Sequence, residues 1–197
     1  MPLPTLLVVI CSTRPGRVGR AIGDWFIEQA EAHGSFKVAV ADLATINLPF
    51  LDEPNHPRMH NYTKDHTKQW SATVAAADAV VFVTPEYNFS APATLINAVD
   101  FLYVEWSKLA VGWVSYGGAS GGMRSVQHAK NVTSTVGMVS AGAAVALASA
   151  PPKVKDGVFA NTEDNDKAAA GLLDELVTLS ELLAPARKEA LKELDES

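Results

Sequence analysis

The chain has 197 residues, a formal net charge of −6 at pH 7, 48% hydrophobic residues and a mean hydropathy of +0.08. This length suits one domain with a sizeable core, and the apolar share excludes a disordered chain. The net negative charge and the absence of a long run of Lys or Arg argue against a nucleic-acid partner. The single cysteine cannot form an internal disulfide, which favours a cytoplasmic protein.

Two apolar segments are candidates for membrane insertion, and both are too short. The run at 6–10 is shorter than the hydrophobic region of a secretory signal, and no positive charge precedes it. Met138–Ala150 falls short of the roughly 20 residues that a membrane span needs. The sequence therefore predicts no membrane partner.

The apolar periodicity predicts alternating strands and helices. The predicted strands are Thr5–Cys11, Phe36–Asp42, Ala79–Thr84, Leu109–Tyr116 and Val139–Leu147. The predicted helices are Gly19–Ala32, Thr63–Ala76, Ala91–Trp106, Gly122–Asn131 and Asp166–Leu183. We expect a proline-rich loop over Leu48–Pro57. We also expect Pro185 to end the last helix, which divides the chain into a domain over 1–184 and a charged helical tail over 185–197.

Strands that alternate with helices are typical of an α/β protein with a doubly wound parallel sheet. Ligands of such sheets bind at the carboxyl ends of the strands. The first of these ends is the most informative stretch of the chain, because a buried strand runs into Cys11–Arg20, a turn with hydroxyls, glycines and three arginines. A turn of this kind, ahead of a helix, is typical of a phosphate site. An ordinary turn whose Ser and Thr only cap the helix is the alternative.

The first loop matches neither of two common phosphate motifs. The P-loop needs Lys and a hydroxyl residue after its second Gly, and the Rossmann fingerprint needs a Gly two residues before Gly16. Two further loops follow strands three and four. Thr84–Pro92 contains two prolines and aromatic side chains, and Ser115–Gly122 contains four glycines, which let a flat ligand lie against backbone. A phosphate site beside a flat slot has the shape of flavin mononucleotide.

These loops resemble those of the NADPH-dependent FMN reductases, a family of the flavodoxin-like superfamily that includes quinone, chromate and azo-dye reductases. The family's first loop, GSxRxxS, is matched by Ser12 and Arg14. Its second, PEYN followed by LxNAxD, is matched at 85–88 and 95–100. Its third, SYGxxGGxR, is matched at 115–124 with one extra residue.

The resemblance implies a flavodoxin-like fold, a five-stranded parallel sheet of order 2-1-3-4-5 with helices on both faces. It implies bound FMN that takes a hydride from NADPH or NADH at N5 and passes electrons to a small acceptor in a ping-pong cycle, with no catalytic side chain and no metal. The residues that it implies for the phosphate are Ser12, Arg14 and the backbone of Arg17, Val18 and Gly19. Those that it implies around the ring are Pro85, Glu86, Tyr87, Asn88, Ser115, Tyr116, Gly117 and Gly118, with backbone N–H groups facing the pyrimidine edge.

Two positions depart from the family pattern. Cys11 stands where Gly is common, and Gly19 falls near a frequent Ser, which removes one hydroxyl from the phosphate site. Both Ser12 and Arg14 remain, so we expect FMN binding to be altered at most. Arg14, Arg17 and Arg20 would make the rim of the site basic, which favours NADPH over NADH.

Other polar residues have more ordinary interpretations. Glu86 is expected to be a capping or interface group and not an acid–base catalyst. Arg124 is expected to pair with a carboxylate across a subunit boundary, and Cys11 to fill a buried strand end. The three histidines at 56, 60 and 66 match no zinc pattern.

Aromatic residues gather in and after the second loop, at 89, 101, 103 and 106. Tyr and Trp are enriched at interfaces, and relatives pair through this helix, so we predict a homodimer or homotetramer. The acceptor face is expected to involve loops such as Leu48–Asn61. Two alternatives remain open on the same fold, a flavodoxin-like electron carrier and a flavin-free binding module.

Overall fold

The computed structural model describes residues 2–195. The strands of its main sheet are β1 (Thr5–Ile10), β2 (Lys37–Asp42), β3 (Ala79–Pro85), β4 (Ala110–Tyr116), β5 (Val139–Ser140) and β6 (Val145–Leu147). The α-helices are α1 (Gly19–His33), α2 (Leu43–Ile46), α3 (Asp65–Ala75), α4 (Ala93–Asp100), α5 (Met123–Thr135) and α6 (Glu163–Asp195). A short hairpin, β7 (Val154–Lys155) and β8 (Val158–Phe159), lies between β6 and α6.

All pairings in the main sheet are parallel, and the strand order is β2-β1-β3-β4-β5, which confirms the predicted flavodoxin-like order. The predicted strand Val139–Leu147 is wrong as a single element, because β5 and β6 each pair separately with β4. Between them, the amides of Gly142 and Ala143 donate to the carboxylate of Glu175 at 2.7 Å each. These two amides thus donate to a side chain of α6 and not to a neighbouring strand.

The core lies on both faces of the sheet, as the alternation of side chains along each strand requires. Leu6 and Val8 pack on the side of α1 and α6. Leu7 and Val9 pack on the other side, together with residues of α3, α4 and α5. Cys11 belongs to this second cluster and is fully buried, which confirms its expected packing role.

The predicted helix Ala91–Trp106 is too long, since α4 ends at Asp100 and a 3-10 turn covers Val104–Trp106. The helix ends where two buried indoles donate hydrogen bonds to its last carbonyls. Trp70 Nε1 donates to the Ala98 carbonyl at 2.8 Å, and Trp106 Nε1 donates to the Val99 carbonyl at 3.0 Å. Phe101 and Trp106 are both fully buried within the subunit. The aromatic argument for a subunit interface is therefore wrong for these two residues.

The predicted break at Pro185 is also wrong, because α6 continues through it. Proline removes one helix hydrogen bond, here to Glu181, and both residues are exposed, so water can solvate the freed carbonyl. Two residues later, Arg187 is buried and donates to four carbonyls, those of Ala77, Glu105, Ser107 and Val74 at 2.9, 2.9, 3.1 and 3.1 Å. These bonds hold the last turns of α6 against the amino-terminal ends of β3 and β4.

None of the helices within residues 2–195 combines the length and the apolar character needed to cross a bilayer. In the same residues, no group of three or more His, Cys, Asp or Glu side chains is placed to hold a metal ion.

Arg187→Met keeps the length of the side chain and removes its donors, which leaves four buried carbonyls without this partner. We expect the free energy of unfolding to fall by about 3 kcal/mol. Lys188→Met, at an exposed position on the same helix, should stay within about 0.5 kcal/mol of the wild type. Urea denaturation monitored by tryptophan fluorescence measures both values. Equal stability of the two variants would contradict the role of Arg187.

Candidate cofactor site

Three loops meet at the carboxyl edge of the sheet and enclose a cleft of about 240 Å³. The register of β3 and β4 pairs Pro85 with Tyr116, so the second and third loops leave the sheet side by side. We call this space the cofactor cleft. Nine of the predicted site residues line it: Arg14, Arg17, Val18, Pro85, Glu86, Tyr87, Tyr116, Gly117 and Gly118. Parallel pairing thus brings together residues that are far apart in the chain.

One end of the cofactor cleft is built to hold an anion. The first helix hydrogen bond of α1 runs from the Ile22 amide to the Val18 carbonyl. The amides of 18–21 have no hydrogen-bond partner among the described residues, no side chain caps α1, and no acidic residue lies in its first turn. These N–H groups and the helix dipole together favour a bound oxyanion.

Two buried hydroxyls lie at the same helix end. Ser12 Oγ and Tyr116 OH face each other and have no further hydrogen-bond partner in the part of the chain that the structure describes. A Cβ added at Gly19 would lie 2.2 Å from each of them, so only glycine leaves room for both. Burial raises the pKa of Tyr116, which keeps its phenol protonated as a donor. The phenol of Tyr116 thus occupies the space that a side chain at 19 would fill.

Arg17 does not serve this anion site in the predicted way. Its amide donates to the Arg14 carbonyl, and its guanidinium makes two 2.6 Å hydrogen bonds to the carboxylate of Asp42 and a third to the Ser12 carbonyl. Although burial alone would raise it, these bonds from Arg17 and one from the Ala44 amide hold the pKa of Asp42 below its ordinary value. The pair clamps the first loop to the end of β2.

Two of the three arginines that were expected to make the rim basic are paired with carboxylates. Arg20 pairs with Asp24 at 2.6 Å and lies 3.5 Å from Asp42, so both Arg17 and Arg20 are compensated by carboxylates. Arg14 has no carboxylate partner among the described residues, and its guanidinium lies 5.9 Å from the centre of the Tyr87 ring. The excess positive charge at the rim is therefore concentrated at Arg14.

Most of the amides predicted to face the flavin ring are already used within the chain. The amide of Glu86 donates to Tyr116, that of Tyr87 to Ser90, and that of Gly117 to Leu147. The amides of Asn88 and Gly118 make no hydrogen bond to the described residues, which leaves them as the available donors on either side of the slot.

Glu86 caps α5, and capping is one of the two roles expected for it. Its carboxylate accepts hydrogen bonds from Ser120 Oγ at 2.8 Å, from the Arg124 amide at 3.1 Å and from Arg124 Nη1 at 2.8 Å. These bonds lower the pKa of Glu86 against the opposing effect of burial. Within the chain, Arg124 pairs with Glu86, and its expected contact across a subunit boundary stays a prediction.

The remaining predicted residues lie around the cofactor cleft without lining it. Asn88 lines the neighbouring cleft, and Ser115 is buried with its hydroxyl donating to the Gly121 carbonyl at 2.8 Å, so it supports the third loop. Sequence reasoning missed Pro151, which lines the cofactor cleft, and Asp42. The sequence contained a signal for each: a Pro-Pro pair follows the fifth predicted strand, and an acidic residue ends the second predicted strand.

Comparison with known proteins shows the family of the chain. The profile of the family described as NADPH-dependent FMN reductase matches residues 4–152. The chain belongs to this family. It is 31% identical to an NAD(P)H-dependent FMN reductase of a Nectria species over 183 residues, which are 87% of this chain and 91% of that protein.

Two further similarities concern a second relative in sequence and a solved structure of the same fold. An NAD(P)H-dependent FMN reductase of Schizosaccharomyces pombe is 42% identical over 121 residues, and this match covers 60% of each protein. The flavoenzyme NAD(P)H:(acceptor) oxidoreductase of Paracoccus denitrificans has the same fold, with a TM-score of 0.70 and 22% identity over 91% of this chain and 98% of that one.

Asp42→Asn tests the clamp on the first loop. At pH 7 we expect the free energy of unfolding to fall by about 2 kcal/mol, because Arg17 loses a largely buried charged partner. Asp24→Asn, in an exposed arginine pair, should cost less than about 0.5 kcal/mol.

The same substitution has a defined pH dependence. Since the folded state lowers the pKa of Asp42 from 3.8, its ionised form stabilises the fold above that pH. The stability difference between wild type and Asp42→Asn should therefore narrow as the pH falls through the lowered folded-state pKa. Urea denaturation across this pH range measures it, and a difference that grows on acidification would contradict the clamp.

Proposed function

We propose that this protein is an FMN-dependent NAD(P)H oxidoreductase that passes a hydride from NAD(P)H through bound FMN to a small acceptor. The observation that carries the proposal is the pair of buried hydroxyls at the uncapped end of α1, which have no hydrogen-bond partner outside the pair among the described residues, beside a slot lined by backbone. Hydroxyls and free amides are the donors that a terminal phosphate needs. Membership of the FMN reductase family supports the same conclusion.

Each part of the cofactor cleft has a task in this proposal. Ser12, Tyr116 and the first amides of α1 hold the phosphate, and Arg14 supplies the uncompensated positive charge. Asn88 and Gly118 donate their amides to the ring edge. FMN, when bound, supplies the hydride chemistry, so no acid–base side chain is needed. Glu86, which three hydrogen bonds keep ionised, is suited to holding the second and third loops together.

For a quinone acceptor, the overall reaction is NAD(P)H + H⁺ + quinone → NAD(P)⁺ + hydroquinone. A ping-pong order follows from a single open ring face that the donor and the acceptor use in turn. Quinones, free flavin, chromate and azo compounds are the acceptor classes that such a face accommodates. With Arg17 and Arg20 paired to carboxylates, the charge of the rim no longer favours NADPH over NADH.

A visible spectrum, followed by anaerobic addition of NADPH, tests the proposed activity. A yellow protein that bleaches rapidly without any partner protein is the expected result. Bleaching that requires a separate reductase would identify an electron carrier. A colourless protein that added FMN does not tint would identify a flavin-free binding module, and either outcome overturns the proposal.

Arg14→Ala tests the position of the phosphate. Loss of the uncompensated guanidinium should raise the Kd of FMN about tenfold, measured by quenching of FMN fluorescence. Arg20→Ala is the matched control, since this arginine is already paired with Asp24, and its Kd should change less than about twofold. An equal effect of both substitutions would show that the phosphate lies elsewhere.

We also propose that the protein is a cytoplasmic homodimer whose subunits meet over α4 and the loop at 48–59. This loop exposes Phe50, Leu51 and Met59, at 82%, 41% and 65% exposure. Asn97 on α4 ties the loop to the helix, with hydrogen bonds to the Leu51 amide and the Pro49 carbonyl at 3.0 and 2.7 Å. Large apolar side chains held in place at the surface favour an interface.

Phe50→Asp should shift the protein from dimer towards monomer, because a charge is then buried without a partner at the interface. Val158→Asp is the matched control, since this side chain is 70% exposed on the β7–β8 hairpin. Light scattering after size-exclusion chromatography measures the mass of each. A Phe50→Asp protein with the mass of the wild type would contradict the assigned interface.

A further inference from the structure

A second cleft, of about 640 Å³, adjoins the cofactor cleft. Glu86 and Gly118 line both clefts, so they form the boundary between the two. The other lining residues are Asn88, Phe89, Ala119, Ser120 and Arg124. We call this second space the acceptor cleft, for the role argued below.

The side chain of Phe89 lies outside the core, and its backbone has a conformation that is unfavourable for a bulky residue. Its side chain is 71% exposed and its φ is +64°, a conformation that is rare for a bulky residue, and Asn88 before it has φ +50°. The turn is closed by hydrogen bonds in both directions between Tyr87 and Ser90, at 3.0 and 2.9 Å. Ser90 Oγ also forms a hydrogen bond with His128 Nδ1 on α5. Strained backbone that is fixed from several sides is typical of a functional position.

Arg124 completes a platform with this ring. Its guanidinium carbon lies 4.1 Å from the centre of the Phe89 ring, and Nη1 donates to Glu86 at 2.8 Å. The other donors of the guanidinium make no hydrogen bond to the described residues, and the side chain is 51% exposed. A planar cation fixed by an aromatic face and one carboxylate keeps its remaining N–H groups for an incoming oxyanion.

We propose that the Phe89–Arg124 platform binds the electron acceptor, and that it favours planar aromatic acceptors carrying a carboxylate or sulfonate group. The aromatic ring of the acceptor stacks on Phe89, and its oxyanion accepts hydrogen bonds from Arg124. Through the boundary at Gly118, such a molecule reaches the ring end of the cofactor cleft. This inference rests on the proposed function, because it assigns the acceptor of the same reaction.

The experiment compares two quinones, 1,4-naphthoquinone-2-sulfonate and uncharged 2-methyl-1,4-naphthoquinone, with FMN-loaded protein and NADPH. The readout is the ratio of kcat/KM for the sulfonate to that for the uncharged quinone. In Arg124→Gln we expect this ratio to fall about tenfold, mainly through KM of the sulfonate, because a charge-assisted hydrogen bond is lost. Phe89→Leu should raise KM for both quinones, since both lose the stacking surface.

The chain offers a matched control for Arg124→Gln. Arg20 is 49% exposed against 51% for Arg124, is likewise paired with a carboxylate, and lines neither cleft. Arg20→Gln should leave the ratio at the wild-type value. Light scattering of each variant shows whether the oligomeric state has changed.

The outcomes separate this inference from the proposed function. Protein that binds FMN, bleaches with NADPH and reduces both quinones, but whose ratio is unchanged by Arg124→Gln, overturns the acceptor cleft alone. Equal loss on both quinones together with a change in mass overturns it as well and identifies the platform as a subunit contact. Failure to bind FMN, or to bleach with NADPH, overturns the proposed function itself.

Discussion

The parallel pairing of β1, β3 and β4 is the constraint on which the rest of the molecule depends. Their ladders align Ile10 with Val83 and Thr84 with Ser115, so three chain segments leave the sheet at one edge. Parallel strands need long crossovers, and the helices that supply them cover both faces with apolar side chains. The loops are then free to carry polar chemistry, because stability resides in the layers beneath them.

Charge pairing divides this edge into regions of different chemistry. The Arg17–Asp42 pair holds the first loop, which leaves hydroxyls, amides and the guanidinium of Arg14 as the groups available to an anion. The Glu86–Arg124 pair holds the second loop against α5 while much of its guanidinium stays exposed. Both pairs are formally neutral, yet one is an internal clamp and the other keeps donors at the surface. Net charge alone did not distinguish these roles.

The architecture was predictable from the sequence because apolar runs and turns carry it directly. Strand order and most residues of the cofactor cleft followed from the three loop motifs. The errors in the last strand and in α4 share one cause, which is competition from distant side chains. Glu175 captures amides that divide the last strand, and indoles from Trp70 and Trp106 end α4 early. Local periodicity contains no signal for such long-range partners.

The same cause explains the errors within the site. The sequence shows three arginines in one turn, but not that Asp42 lies within reach of two of them. It shows a glycine where a hydroxyl is common, but not that Tyr116 fills the space. In both cases the deciding contact joins the segment that follows β1 to the end of another strand. A motif predicts which residues reach the edge of the sheet, and packing then decides which of their groups remain available.

The burial of the two hydroxyls beneath the first loop has a kinetic consequence. A phosphate can reach Ser12 and Tyr116 only if the loop above them moves, and Arg17 holds that loop through two hydrogen bonds to Asp42 and one to the Ser12 carbonyl. Uptake and release of a phosphate-bearing ligand then share one barrier, the opening of this clamp. Such a ligand would exchange slowly in both directions and stay with the protein over many turnovers, as a prosthetic group and not as a diffusing cosubstrate.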